Sequence, residues 1–297
     1  MNTFYIAKLI ISLLCLTTLV CCKDKSETIS IAEERETEVL KETVSSKIEQ
    51  SDNSTIIRRY RAPDGFLRQE VDSESFAYYL RNFPLLNPRE KVHLYNGRLK
   101  NTQSVHSAIL DIDVGEKDLQ QCADAVMRLR AEYLFQKQRY GDIAFNFTNG
   151  WRFEYEKWRA GNNLVVNGNR TDWAPSATPK ESYEDFRTYL NWVFMYAGTL
   201  SLSKELTPKK LEDIAIGDVF IYGGSPGHAV LVVDVAVNES TGDKAFLIAQ
   251  SYMPAQQIHI LKNEGNEDIS PWYLVSDIGA RLNTPEWTFE RSALKAF

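Results

Sequence analysis

The chain has 297 residues, 43% of them hydrophobic, and its 34 basic and 40 acidic side chains leave a formal net charge of −6. That supply of apolar side chains is enough for one large globular domain, and the mildly negative balance gives no electrostatic footing for a nucleic-acid partner. Four cysteines, without a CxxC, an HExxH or a histidine cluster, exclude a disulfide framework in the body and give no pattern for a metal or other cofactor.

Residues 1–22 are expected to lie outside the fold. Lys8 gives a weakly positive start, Leu9–Leu16 a short apolar run, and Lys23-Asp24-Lys25 turns charged directly after Cys22. The apolar run is too short to span a bilayer and fits an export signal. With Leu19 three positions before Cys22, the ending resembles a bacterial lipoprotein signal. The resemblance implies lipidation at Cys22, or at Cys21 beside it, in place of an ordinary cleaved signal or an uncleaved anchor. Acyl chains on one cysteine would hold the protein on the outer or cytoplasmic membrane, as a periplasmic or surface-exposed lipoprotein of the cell envelope. Residues 23–55 carry nine acidic and five basic side chains and no Gly, Pro or aromatic residue, which describes a polar tether with partial helix around Ala32–Lys47.

The body, residues 56–297, opens with segments at Tyr60–Gln69 and Phe76–Leu86. A strand is expected over Ala108–Val114, stopped by Gly115. A helix is expected from Glu116 to Gln136, with Leu119, Cys122, Val126, Leu129 and Tyr133 on one apolar stripe and Glu116 and Asp118 in its first turn. Residues 141–180 are loop-rich and aromatic, and Trp151, Trp158 and Trp173 among polar neighbours are candidates for a peptide- or glycan-binding surface. Helices are expected at Ser182–Tyr196 and Ser201–Leu206. Strands follow at 218–222, 228–237, 245–250 and 257–261, and an aromatic tail carries Trp272, Tyr273 and Trp287.

The stretch Gly217–Asp234 reads as a strand, a turn rich in Gly and Pro, and a histidine opening a second strand. Such a turn puts the His228 imidazole on a rigid element, where a base titrating near neutrality can act. A thiol nucleophile needs that imidazole and a polar group to orient it. Cys122, near the start of its helix, and Gln250, ending the next strand, supply the residue types. Gln120 or Gln121 could donate to an oxyanion or contact substrate. His93, His106 and His259 read as structural, with His106 the reserve base. Asp111 and Asp113 are expected on one face of a strand, the spacing a glycosidase pair would use or a salt-bridged edge would leave.

A helix Cys, then a strand His, then a polar residue on the following strand resembles the papain-like superfamily, above all the NlpC-like and CHAP amidases and endopeptidases of cell walls. The carrying residues are Gly217-Asp218, Gly227-His228 and Gln250, over residues 216–261 together with the helix of Cys122. The resemblance implies His228 as base and Gln250 as its partner. The neighbours of Cys122, Gln121 and Ala123-Asp124, depart from the Asp before and Ser-Gly after the nucleophile of those enzymes. The whole chain also resembles an uncharacterised Gram-negative lipoprotein family, a domain of unknown function, through Asp111–Gly115, Asp118–Ala125 and Tyr196–Thr199.

The expected architecture is a single α+β domain, helices packed on an antiparallel sheet in a papain-like (NlpC/CHAP-like) arrangement. The expected function is a membrane-anchored cysteine amidase or endopeptidase cutting cell-wall peptide or a related amide through a thioester, with Cys122, His228 and Gln250 catalytic and Gln121, Trp151, Trp158 and Trp173 binding substrate. The alternative is a non-catalytic surface lipoprotein of the same fold that binds glycan or peptide through its aromatic loops, with Cys122 a core residue.

Overall fold

The computed structural model describes residues 54–297 apart from Ala177. The expected signal peptide, the lipidated Cys22 and the tether as far as residue 53 lie outside the described residues.

Short helices at Ile56–Arg59 and Phe76–Arg81 open the body, and β1 (His106–Ile109) precedes the long helix Cys122–Gln136. Two hairpins follow, β2 (Ala144–Asn146) with β3 (Arg152–Glu154) and β4 (Asn163–Asn167) with β5 (Arg170–Ala174), divided by the short helix Tyr155–Arg159. Helices Tyr183–Tyr196 and Thr199–Glu205 lead to β6 (Thr207–Pro208). Then come β7 (Val219–Tyr222), β8 (His228–Val237), β9 (Lys244–Gln250), β10 (His259–Leu261) and β11 (Tyr273–Leu274). A last hairpin of β12 (Arg281–Asn283) and β13 (Thr288–Glu290) precedes β14 (Leu294–Ala296).

One antiparallel sheet has the order β1-β10-β9-β8-β7-β14-β6, with β11 also paired to β9. The protein is therefore a mixed α+β fold of helices and antiparallel sheet. Both faces of the sheet are covered, and the sequence of its central strands shows how. Ala229, Leu231 and Val233 of β8 join the core beneath the Cys122 helix, while Val230 and Val232 join a second core with Phe220, Phe246, Leu282 and Phe289. A strand with apolar residues at every position is what two covered faces demand. The β8–β9 register shifts between Val232 and Asp234. Asp234 is fully buried there, and Arg68 and Arg81 reach its two oxygens at 2.6 and 2.8 Å. Each charge of this cluster is paired, as burial requires.

The helix expected at Ser201–Leu206 runs Thr199–Glu205 and the strand expected at 257–261 is His259–Leu261, and two further boundaries differ in ways that bear on the site. The strand ends at Ile109, and Asp111 and Asp113 lie beyond it. They therefore do not share a strand face, and Asp113 instead ion-pairs Arg128 at 3.0 Å and Arg187 at 3.1 Å. The helix begins at Cys122, not at Glu116. Gly115 takes φ +79, and the bonds Leu119 N–H to Lys117 O and Gln121 N–H to Leu119 O make a run of tight turns in place of helix. The helix is also buried around most of its girth from Cys122 to Leu134, so its apolar residues are not confined to a stripe. Ser182 caps the helix Tyr183–Tyr196 by accepting from the N–H of Asp185 at 3.0 Å. Phe186, Leu190, Val193 and Phe194 face inward as its periodicity requires.

Candidate functional site

Cys122 is the first residue of its helix, not a residue two turns in, and the segment before it is clamped from three sides. The fully buried Arg128 reaches Asp113 and also donates to the Gln120 side-chain oxygen at 2.9 Å. The Asp118 carboxylate accepts from the N–H of Ala255 at 2.7 Å, and Ser251 Oγ lies 3.0 Å from the Gln120 carbonyl. Those ties hold the helix start against the loop that follows β9.

His228 is delivered by the turn 223–227 between β7 and β8, where Tyr222 pairs with His228. A Cβ on Gly227 would lie 2.3 Å from Thr199 Oγ1 and 2.5 Å from the Gly224 carbonyl oxygen, so no larger residue fits. The turn thus lies directly on the start of the helix Thr199–Glu205. Asp218, ahead of β7, accepts from the N–H of Ala215 at 2.7 Å and ion-pairs Lys209, which locks its own turn.

The two ends meet. The N–H of Ala229, the residue after His228, faces the Cys122 sulfur together with the N–H groups of Ala123 and Cys122. Tyr252 lies edge-on to His228, with ring centroids 4.9 Å apart, and is close enough to Cys122 for the thiol charge to act on its hydroxyl. On the other side Nε2 of His228 meets Gln250 Oε1 at 2.8 Å. Trp287 and Phe289 pack on the imidazole at 5.3 and 5.8 Å and shield that bond from water.

Burial, and then the Asp124 carboxylate, push the Cys122 thiol up to about 11 against those three N–H groups. Burial likewise raises Asp124 to about 8, so its charge develops only as the pH approaches that value. His228 is lowered to about 4, chiefly by burial and further by Lys100, against the hydrogen bond it donates to Gln250. The resting pair at neutral pH is a thiol and a neutral imidazole. Nucleophilic attack from this state requires the proton to leave sulfur as the new bond forms.

Cys122 opens on a groove of about 380 Å³ whose walls include Gln121, Thr148, Phe194, Gly198, Gly227 and Met253. Cys122 itself is 8% exposed. Gln121 stands at the helix cap and donates from its side chain to Asp118 at 3.3 Å. Among the described residues, no group of three His, Cys, Asp or Glu side chains could hold a metal ion, and no helix is long and apolar enough to cross a membrane.

The three tryptophans are not brought to this groove. Trp158 is 5% exposed, donates from Nε1 to the Asp185 carbonyl at 3.0 Å and carries Lys180 over its ring. Trp151 and Trp173 are half-buried with rings 5.1 Å apart, and both stack on the fully buried Phe153. His106 lies on β1 with its ring 6.1 Å from that of His259 and does not line the Cys122 groove.

Two residues at the site carried no sequence signal. Glu286 Oε2 accepts from Gln250 Nε2 at 2.6 Å, and Lys100 Nζ pairs with Glu286 Oε1 at 2.5 Å. Each comes from a segment remote from the His–Gln meander, and neither sits in a motif. The loop residue Glu286 beside Trp287 is defined only by tertiary approach.

A family profile described as domain of unknown function (4846) matches residues 56–296. The chain belongs to that family. Comparisons with curated proteins and with solved structures return no match.

Proposed function

We propose that the protein is a cysteine-dependent amidase or endopeptidase with a papain-like arrangement of its reacting groups, acting on cell-wall peptide or a related peptide amide. The observation that carries this reading is the meeting of the Cys122 helix start with the His228 strand start, where the sulfur faces the N–H of Ala229 and the imidazole is bonded to Gln250. Cys122 Sγ attacks the amide carbon while its proton passes to His228. The carbonyl oxygen takes the negative charge beside the N–H groups at the helix start. His228 then returns the proton to the leaving amine as the C–N bond breaks, which leaves a thioester. Water, deprotonated by the same imidazole, releases the acid and restores the thiol. Gln250 keeps the ring oriented throughout, and the groove walls, Gln121 included, hold the chain to be cut. On this reading an anchor at Cys22 would keep the activity at the cell envelope.

The test pairs thiol alkylation with turnover. Folded protein should react with iodoacetamide at Cys122, with a rate that collapses in His228→Ala, and should release new amino groups from soluble cell-wall peptides. A thiol that stays inert in the native protein, together with no amine release by wild type above Cys122→Ala, sinks the proposal.

The burial of both groups supports a second reading, a non-catalytic module of the same family that binds peptide or glycan. There the thiol would stay unreactive up to pH about 11, and ligand binding would survive Cys122→Ala unchanged.

A further inference from the structure

The Gln250 side chain has two ends of nearly the same shape, so packing alone cannot tell its oxygen from its nitrogen. Hydrogen bonds must do it. Three groups surround this amide: His228 Nε2 at 2.8 Å, Glu286 Oε2 at 2.6 Å and His259 Nε2 at 3.4 Å.

Two of the three can only accept. A carboxylate offers no proton, and the other oxygen of Glu286 is bound by Lys100. His259 Nδ1 lies 2.9 Å from the Gln257 carbonyl, so the ring proton sits on Nδ1 and Nε2 is a lone pair. Burial keeps this ring neutral, lowering it to about 3. Both acceptors therefore call for the amide NH₂, which has two hydrogens to give. The amide oxygen is left to face His228, whose Nε2 must then carry hydrogen. That leaves Nδ1 of His228 bare.

We propose that Glu286, held by Lys100 and seconded by His259, is the positioning residue that sets the orientation of the Gln250 amide and, through it, the imidazole tautomer of His228. The inference rests on the hydrolase reading only where it concerns rate, because Nδ1 is then the nitrogen that takes the thiol proton. Glu286 touches neither the sulfur nor the imidazole. It acts through Gln250, and its carboxylate charge, not its volume, is what matters. Glutamine at the same place would keep the shape and lose the instruction, because its amide can give or take a hydrogen bond and Gln250 could turn over. Turned over, Gln250 would donate to His228 Nε2, force the proton onto Nδ1 and remove the base.

The experiment is nitrogen NMR of histidine-labelled protein near neutral pH, on wild type and Glu286→Gln. Wild type is expected to show His228 with Nε2 protonated and Nδ1 bare. Glu286→Gln is expected to show a substantial share of the Nδ1-protonated form, with alkylation of Cys122 slowed roughly 100-fold. An unchanged tautomer in Glu286→Gln, or an Nδ1-protonated ring in wild type, overturns the inference. Should the variant fail to fold, the Gln250 amide protons of wild type give a second readout. Contacts from them to Glu286 and His259 support the assignment, and contacts to the carbon-bound ring hydrogens of His228 on either side of Nε2 refute it. These spectra read a ring and an amide, not turnover. A tautomer that follows Glu286 in a protein that hydrolyses nothing would end the hydrolase reading and leave this one standing.

Discussion

Two regions of this molecule solve burial differently. The hairpins of residues 144–174 enclose aromatic rings that lie on one another: Phe153 is fully buried between Tyr189 at 4.5 Å and Trp173 at 5.2 Å. The region around His228 buries groups with protons to give or take, and joins them across four separate segments through His228, Gln250, Glu286 and Lys100. Aromatic packing needs only area and ring geometry. A buried polar chain is costly unless its members are paired, and here Gln250, Glu286 and Lys100 each have a partner. The density of Trp and Phe over residues 145–173 marks the region packed by rings.

Substitutions can break or sharpen this contrast. The largest effect is expected from Cys122→Ala, which should abolish both alkylation and any amide cleavage while leaving the folded state intact by circular dichroism. His228→Ala should follow, with a loss of roughly 10²- to 10⁴-fold in the rate of alkylation and turnover, read from the pH profile as well as the plateau. Wild-type reactivity should already be present just above pH about 4, where the His228 imidazole becomes neutral, and the variant should gain reactivity only as the pH climbs toward about 11. In the aromatic half, Phe153→Ala should cost about 3–5 kcal/mol in denaturant unfolding and leave Cys122 alkylation of the folded fraction unchanged. An altered alkylation rate there would couple the two halves and undo the comparison.

The smallest effect concerns pH and stability. His228 and His259 sit at about 4 and about 3 in the fold against an ordinary 6.5. The unfolded chain therefore binds the extra protons below pH 6.5, and their contribution to stability is lost as pH falls toward about 3. Asp124 has the opposite sign. Its carboxyl, raised from 3.8 to about 8, keeps a proton that the unfolded chain releases, so its contribution is lost as pH rises through that window. Between pH 6.5 and 8 Asp124 acts without those histidines, and stability should decline there by roughly 1–2 kcal/mol. Asp124→Asn should flatten that slope in denaturant titrations at several pH values. A slope that persists in the variant assigns it to another group.

Much of the sheet was legible because its cues are local. The apolar runs bounded by Gly and Pro placed the strands around 219–222 and 228–237, and the periodicity of residues 183–196 placed a helix and its inward face. The start of the Cys122 helix was not legible in the same way. Glu116 and Asp118 suit a first helical turn, yet Gly115 in a left-handed conformation and the Arg128 clamp on Asp113 and Gln120 hold that segment as turns. Arg128 is itself inside the helix, so the clamp exists only once the chain has folded back. Glu286 and Lys100 were invisible for the same reason. A residue whose meaning comes from what lies across the sheet leaves no period and no motif.

The contact between Gly227 and Thr199 makes the groove and its histidine mechanically one object. Thr199 is a wall of the groove, and the turn resting on its hydroxyl is the one that hands over His228. Any pressure that widens the groove at Thr199 is transmitted within a single van der Waals layer to the start of β8. Groove width and the placement of the imidazole therefore cannot be changed independently: a substitution that moves Thr199 must also rebuild the turn ahead of His228.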